Sequence, residues 1–537
     1  MRGVHRASGI QLVLTLALAG SCQGQSVEPV WADIPASSTL EWVPCYNRRE
    51  CARLEVPMNY QDPEGAKVTL AVIRLRATET DNYKGPVLFH SGGPHNSGVD
   101  WLATEDWARD LHRVVGHNHD IVAWDPRSFS RSTPRVSCWA NEQRRNIWSA
   151  TAPGLPTQYD DIAFIATLRQ RSRIEHSACL DMMDETGILE YTSTTHGAHD
   201  VLALMTALGQ DKLRFMGQSY GCVHATFFAS MFPDKVERIV CDGNLSPPDL
   251  VSGDFIDQPL DIEPLLDWVA AQCATNSSCA LHEDTAEAVR ERINNIVINS
   301  RLSPVFVPTA SVFDYVTQPP TQAVALGGLQ SLVGNPYSNM PNIMRLLAAI
   351  EAGVTTTAED QLESVQWPSA ALFNDTRYRS PMDPDAGRKP FFNRYPQTED
   401  WHSCNDLPEQ EDDIVAFKER LDEAMTRGPI GGGLFSRFFG CIGRPRRPKG
   451  VYPGPFGGNT SYPILFTNAR VDPSTSVRGA YNNHRIFPGS GLLVYEAYGH
   501  SMVFNTQCAV DHINKYFQDG TLPPANATCR EEYTIAW

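Results

Sequence analysis

The sequence predicts an α/β fold in which a mostly parallel sheet carries helices on both faces. Strand-like and helix-like segments alternate between residues 68 and 216, which is typical of parallel strands joined by crossover helices. A second observation is that Gly217-Gln-Ser-Tyr-Gly221 ends one apolar strand and opens an apolar helical segment. The predicted strands are 68–75, 87–89, 121–124 and 213–216, and the predicted helices are 100–115 and 196–208.

The Gly-x-Ser-x-Gly motif centred on Ser219 is the strongest indication of chemistry in the chain. Between a strand and a helix, this motif is typical of a nucleophile elbow, a sharp turn that exposes a serine hydroxyl above the sheet. Gly217 and Gly221 fit that turn, because we expect side chains two residues on either side to collide with the serine. The motif therefore predicts that Ser219 is the nucleophile.

An elbow serine needs an oxyanion hole from an upstream loop and, further along the chain, an acid and a histidine. Upstream, an apolar strand that ends at residue 90 leads into Ser91-Gly-Gly-Pro94. A residue without Cβ lets a backbone N–H approach a developing negative charge. We expect the backbone N–H groups of Gly93 and Tyr220 to form the oxyanion hole.

Two further apolar strands, 462–467 and 491–496, precede the remaining candidate catalytic residues. Asp472 follows the first strand and His500 follows the second. The chain order Ser219, Asp472, His500 predicts a triad in which His500 is the general base and acid and Asp472 orients it.

Several segments, taken in chain order, resemble the proline iminopeptidase and tripeptidyl aminopeptidase branch of the α/β-hydrolases. They are residues 51–60, Ser91-Gly-Gly-Pro94, Asp125-Pro-Arg127, Thr194-Thr195 with Asp200, the motif around Ser219, Asp472-Pro473 and Gly499-His500. The resemblance covers most of residues 40–530. It implies an α/β-hydrolase fold with an inserted helical cap, and a secreted aminopeptidase whose cap carboxylate binds the α-ammonium of a peptide.

Two loops depart from the pattern of that family. His95 and Asn96 follow Gly-Gly-Pro where more glycine is usual, and Ser128-Phe-Ser130 replaces a glycine-bearing stretch. Both loops are expected to line the site, so a second function stays open: an esterase, lactonase or small-metabolite amide hydrolase that uses the same triad. Independently of the loops, a binding module that keeps the fold and has lost catalysis is a third alternative.

The domain organisation is predicted from breaks in the alternating pattern. Residues 1–24 have the basic start and short apolar run of a signal peptide, which predicts a secreted protein with no membrane contact after cleavage. Residues 25–246 form the first part of the core. Residues 247–458, rich in helices and loops, form the cap, with predicted helices at 262–274, 285–298 and 342–352. Residues 459–537 complete the core with a region resembling that of tripeptidyl aminopeptidases.

Charge and motif content exclude several classes of ligand. The net charge of −17 disfavours nucleic acid as a partner. The resemblance and the triad imply a peptide or a small acyl compound as the substrate. His117-Asn-His119-Asp120 is interpreted as structural, because the sequence contains no matching second cluster and no His-Glu-x-x-His. We predict no metal and no cofactor. His224 is interpreted as a packed core histidine.

Twelve cysteines remain after signal cleavage, and an even number in a secreted chain favours disulfides. Short separation and the family resemblance suggest the pairs Cys45–Cys51, Cys138–Cys179, Cys273–Cys279, Cys404–Cys441 and Cys508–Cys529. Cys222 and Cys241 are then predicted to be buried thiols. Sequons for N-glycosylation occur at Asn244, Asn276, Asn374, Asn459 and Asn526.

Overall fold

The computed structural model describes most of the chain. The described residues are 28–151, 160–253, 260–302, 329, 332–353, 376–387, 396–408, 413–428, 430–431, 441, 448–525, 527–530, 533, 535 and 537. The predicted signal peptide and the sequons at Asn374 and Asn526 lie outside them.

The described strands form one eleven-stranded sheet. Their bounds are β1 Ala36–Ser37, β2 Val43–Cys45, β3 Arg49–Pro57, β4 Lys67–Leu75, β5 Pro86–His90, β6 Asp120–Trp124, β7 Leu213–Gln218, β8 Val236–Asp242, β9 Leu465–Val471, β10 Gly491–Tyr498 and β11 Thr528–Arg530. The order across the sheet is β1-β3-β4-β6-β5-β7-β8-β9-β10-β11, and β2 pairs with β3. The pairs β2–β3, β3–β4 and β4–β6 are antiparallel. In the rest of the sheet, from β6 to β11 in the order given, neighbouring strands are parallel.

Helices occupy the connections between these strands. Their bounds are α1 Gly98–Ala103, α2 Glu105–Val115, α3 Glu142–Ala150, α4 Ile162–Met183, α5 Thr194–Ala207, α6 Tyr220–Met231, α7 Pro247–Ser252, α8 Ile262–Ala274, α9 Ala286–Leu302, α10 Pro336–Ala352, α11 Pro396–Asp406, α12 Ile414–Arg427, α13 Val477–Ile486 and α14 Gln507–Asp519. Among the described helices, none is both long and apolar enough to cross a bilayer.

The sheet is covered on both faces, as predicted from the alternating pattern. Successive residues of a strand point to opposite faces, and in β5 Leu88 packs into one hydrophobic cluster whereas Val87 and Phe89 pack into a second. The first cluster includes Phe227 of α6, and the second includes Ile513 of α14. A mostly parallel sheet between two helical layers is therefore confirmed.

Most predicted elements differ in their bounds from the structure, and two of these differences have a specific structural basis. The helix expected at 100–115 is two helices, because Thr104 takes an extended conformation (φ −80°, ψ 128°) between α1 and α2. The strand expected to begin at residue 462 begins at Leu465. Pro463, which has no N–H, instead offers its carbonyl to the hydroxyl of Tyr516 at 2.7 Å.

The segment between β8 and β9 contains helices and no strand among its described residues, in agreement with a helical cap. After α7, its described helices fall into two groups. α8, α9 and α10 pack around a hydrophobic cluster of their own, which includes Leu266, Ile293 and Leu347. α11 and α12 instead join the main core, where Trp401 and Leu421 are buried. The boundaries of the cap remain a prediction.

The five expected cysteine pairs are disulfide-bonded in the structure. Cys222 and Cys241 are buried free thiols, as expected. The sequon at Asn244 is a correction, because that side chain is only 1% exposed and its amide donates to the Thr467 carbonyl at 2.8 Å. A glycan needs an exposed amide, so Asn244 is not an acceptor in this fold. Asn276 is partly exposed and Asn459 is exposed.

Candidate active site

Ser219 occupies the turn between β7 and α6, where the sequence motif places it. Its backbone has φ 54° and ψ −125°, a conformation that non-glycine residues seldom adopt. An unfavourable backbone conformation of this kind persists only where the surrounding contacts hold it in place, and such residues are often found at functional sites. The turn therefore has the geometry of a nucleophile elbow.

The glycines of the motif are needed for a reason that differs from the expected one. A Cβ on Gly217 would lie 2.6 Å from the backbone carbonyl group of Gly221, and a Cβ on Gly221 would overlap the carbonyl oxygen of His90. In both cases the nearest atoms to the added Cβ belong to other residues and not to Ser219. The residue that approaches Ser219 is Gly92, since a Cβ there would lie 2.7 Å from the serine Cβ.

The structure brings Asp472 and His500 together. Asp472 follows β9 directly, His500 follows β10, and Nδ1 of His500 lies 2.9 Å from each oxygen of the Asp472 carboxylate. The carboxylate is fully buried and also accepts from the N–H groups of Ser474 at 2.9 Å and Thr475 at 2.8 Å. A carboxylate that only accepts requires the proton on Nδ1, which leaves Nε2 of His500 as an acceptor.

The backbone carbonyl of Asp242, the last residue of β8, joins the serine turn to the histidine loop. It accepts from the N–H of Ser219 at 2.8 Å and from the hydroxyl of Ser501 at 3.3 Å. Next to it, a Cβ on Gly243 would lie 3.2 Å from Cε1 of His500. Ser219 and His500 are therefore held on neighbouring loops at the carboxyl edge of the parallel strands, where ligands bind in open α/β sheets.

The loop after β5 lies against the elbow, as expected for an oxyanion hole. Gly92 and Gly93 have φ values of +100° and +113°, which favour glycine. The N–H of Gly92 donates to Nδ1 of His90 at 2.9 Å, and is therefore occupied. Among the described residues, the N–H of Gly93 has no acceptor within hydrogen-bonding distance. These contacts favour Gly93 over Gly92 as an oxyanion donor, and the assignment of Gly93 and Tyr220 stays a prediction.

Four histidines are buried together behind this loop, and sequence reasoning singled out only one of them as a core residue. His224 packs against His90 with ring centroids 4.6 Å apart, and His402 packs against His95 at the same separation. His224 is buried, which confirms it as a packed core histidine. Burial lowers the pKa of His95 and of His224 to about 3, and lowers the pKa values of His90 and His402 well below 6.5.

Asp242 is a second buried acid near the triad that sequence reasoning missed. Its Oδ1 accepts from the hydroxyls of Thr467 and Tyr495, both at 2.9 Å. Burial raises its pKa to about 7; the two hydroxyl hydrogen bonds lower it, and the charge of Asp472 adds to the rise. A polar residue at the end of a parallel strand is the signal that could have identified Asp242.

One group of side chains in the described structure has the spacing of metal ligands: Cys508, His512 and Cys529. Its two cysteines are joined as a disulfide, so their sulfurs are not available as thiolates. His119 and Asp120 of the His-x-His-Asp sequence have structural contacts, to the Gly85 carbonyl at 2.9 Å and the Ala77 N–H at 2.8 Å.

The family model described as the alpha/beta hydrolase fold matches residues 85–506, more than half of the chain. The chain belongs to the α/β-hydrolase family. Its elbow, its sheet and the loops that carry Asp472 and His500 agree with this assignment.

Three curated relatives cover most of the chain. Serine protease Hip1 of Mycobacterium tuberculosis is 24% identical, with 96% of each chain covered. Tripeptidyl aminopeptidase of Streptomyces lividans is 26% identical, with 90% of this chain and 84% of the relative covered. Carboxylesterase B of Mycobacterium tuberculosis is 25% identical, with coverage of 89% and 86%. The chain is thus similar to hydrolases with peptidase names and with an esterase name.

Proposed function

We propose that this protein is a secreted serine hydrolase that releases short N-terminal pieces from peptides. Ser219 is the nucleophile, His500 the general base and acid, and Asp472 the residue that orients His500. The observation that carries the proposal is the hydrogen bond from His500 Nδ1 to Asp472, at the sheet edge where Ser219 lies on a strained elbow.

The proposed reaction begins when Nε2 of His500 takes the proton of the Ser219 hydroxyl as its oxygen attacks the substrate carbonyl carbon. The tetrahedral oxyanion is stabilised by the N–H groups of Gly93 and Tyr220. His500 then gives the proton to the leaving amine, the carbon–nitrogen bond breaks, and an acyl-enzyme remains on Ser219. Water, deprotonated by His500, attacks the ester, and the serine leaves with the proton that His500 returns.

Relatives with peptidase names support a peptide substrate. In the proposal, a cap carboxylate pairs with the α-ammonium of the peptide and selects for a free N-terminus. Several cap carboxylates in the described structure already have internal partners; among them, Glu263 pairs with Arg290, and Asp406 accepts from Thr194 and Tyr220. The ammonium partner is therefore sought among the other acids of the cap.

An esterase or small-amide hydrolase is the second candidate function. The similarity to carboxylesterase B favours it, and the triad hydrolyses esters by the same steps. His95 lies in the loop that departs from the family pattern, and its ring is buried against Phe129 at a centroid separation of 5.4 Å.

A binding module without catalysis is the third candidate, and it predicts no reaction with serine-directed reagents.

The catalytic assignment is tested with Ser219→Ala, His500→Ala and Asp472→Asn, and with a fluorophosphonate that labels reactive serines. We expect labelling of the wild type and none of Ser219→Ala, with turnover reduced by about 10³-fold or more in each variant. Circular dichroism and thermal melting check that each variant folds. Equal labelling of Ser219→Ala and wild type contradicts the assignment, and a folded wild type without labelling supports the binding module.

The substrate class is tested with di- to tetrapeptide anilides, each with a free and an acetylated N-terminus, beside short acyl esters. The aminopeptidase proposal predicts that acetylation abolishes cleavage, because it removes the ammonium charge. Cleavage that is indifferent to acetylation, or turnover of esters alone, supports the second function instead. In a separate experiment, digestion of the secreted protein with a glycosidase tests for N-linked glycans, for which Asn459 is an exposed candidate acceptor.

A further inference from the structure

The last residue of α11, Asp406, reaches from the cap segment into the catalytic core. Its carboxylate is buried, and its Oδ2 accepts from the hydroxyl of Tyr220 at 2.7 Å. Tyr220 directly follows Ser219 and is the first residue of α6. A side chain of the inserted segment is thus hydrogen-bonded to one of the two residues assigned to the oxyanion hole.

The same carboxylate is fixed from a second direction by Thr194, the first residue of α5. The N–H of Thr194 donates to Oδ1 at 2.9 Å, and its hydroxyl donates to Oδ2 at 2.6 Å. Negative charge is favourable at a helix N-terminus, and hydrogen bonds to a carboxylate are stronger than neutral ones. Asp406 is therefore a rigid acceptor for the Tyr220 hydroxyl.

α11 also contacts the opposite side of the predicted oxyanion hole. One turn before Asp406, the ring of His402 packs edge-on against His95, which follows Gly93 by two residues. Nε2 of His402 lies 3.2 Å from the Thr194 hydroxyl, which connects it to the same network. A single cap helix thus touches both loops that supply the predicted oxyanion donors.

We propose that Asp406 is a positioning residue of the oxyanion hole. Through the Tyr220 hydroxyl it holds the first turn of α6 in place. The Tyr220 N–H is thereby kept directed at the position where negative charge develops. This role rests on the proposed serine hydrolase function. A small displacement of such a donor reduces transition-state stabilisation while leaving substrate binding almost unchanged.

The experiment compares Tyr220→Phe, Asp406→Asn and the double variant with the wild type, on whichever substrate the wild type turns over. Tyr220→Phe removes only the hydroxyl. The Asp406 carboxylate and its hydrogen bonds from Thr194 stay in place, so we expect this variant to fold. We expect kcat to fall about 10-fold in each single variant, with KM changed less than about twofold. The double variant should be no slower than the slower single variant, because both changes remove the same hydrogen bond between Tyr220 and Asp406.

Asn405→Ala is the matched control on the same helix. Asn405 is buried, and its amide donates to the carbonyls of Leu189 and Thr192, away from the elbow. We expect this variant to melt at a lower temperature with a kcat within about twofold of the wild type. A purely structural Asp406 would behave in the same way.

A boronic acid that mimics the tetrahedral intermediate gives a second readout. Its affinity should fall with kcat in Tyr220→Phe and Asp406→Asn, and not in Asn405→Ala. Wild-type kcat in folded Tyr220→Phe, or multiplicative losses in the double variant, would overturn the positioning role. Failure of the serine hydrolase proposal is seen separately, as activity or labelling that survives Ser219→Ala.

Discussion

Gly92 packs directly against Ser219. A Cβ at position 92 would lie 2.7 Å from the serine Cβ, 2.7 Å from the carbonyl oxygen of Gln218 and 3.0 Å from the backbone nitrogen of Tyr220. Real Cβ atoms essentially never approach other heavy atoms so closely as 2.7 Å. The loop after β5 and the elbow therefore fit together only because residue 92 has no side chain.

Gly92→Ala is expected to reduce kcat/KM by about 10²-fold or more, because the added methyl group must move the elbow or the oxyanion loop. Steady-state kinetics on the best substrate measures the loss. Gly458→Ala is the matched control, since Gly458 has a similar φ of +102° and nothing within 4 Å of its Cβ position. Equal losses in the two variants would show that backbone strain, and not contact with Ser219, is responsible.

The buried histidines predict that the fold loses stability in acid. Burial lowers the pKa values of His90 and His402 well below 6.5, and lowers those of His95 and His224 to about 3. As the pH falls below 6.5, the unfolded chain therefore takes up these protons before the fold does. Stability is then fully present above pH 6.5 and falls as the pH drops. Each histidine contributes a slope of up to about 1.4 kcal/mol per pH unit in the free energy of unfolding.

Urea unfolding at pH 8, 7, 6 and 5 measures this slope. We expect His224→Asn to unfold more easily than the wild type at pH 8. Its free energy of unfolding should depend less steeply on pH than that of the wild type, because about one proton fewer is taken up on unfolding. An unchanged slope in His224→Asn contradicts the prediction.

Asp242 predicts a stability change of the opposite sense. Its pKa is about 7 in the fold against 3.8 for the free side chain, so the unfolded chain loses its proton first as the pH rises. This difference costs the fold at most about 4 kcal/mol at and above pH 7. Asp242→Asn removes the titration, and its free energy of unfolding relative to wild type should therefore increase between pH 5 and pH 8.

Urea unfolding of Asp242→Asn and wild type at the same pH values tests this expectation. A difference from wild type that stays constant with pH for Asp242→Asn would mean that Asp242 is ionised throughout. Kinetics of the same variant reports whether the acid also affects the nearby pair of Asp472 and His500.

The sequence by itself determined the α/β class and the positions of Ser219, Asp472 and His500 in their loops. These follow from local signals: an apolar strand is recognised by its composition, and a turn residue by its place just after one. Because the carboxyl ends of parallel strands share one edge, three residues that each follow a strand are expected to converge there. In the structure Asp472 and His500 are hydrogen-bonded, and the loop of His500 shares the Asp242 carbonyl with the elbow as a hydrogen-bond acceptor.

Only the tertiary structure decided which residues support these loops. Three features depend on contacts between segments that are far apart in the chain. They are the contact of Gly92 with Ser219, the burial of Asn244 and the hydrogen bond from Tyr220 to Asp406. Nothing in the local sequence distinguishes Asp406 from a solvated acid of the cap. Its burial against Thr194 and Tyr220 arises from how α11 packs on the core, and packing depends on the whole chain.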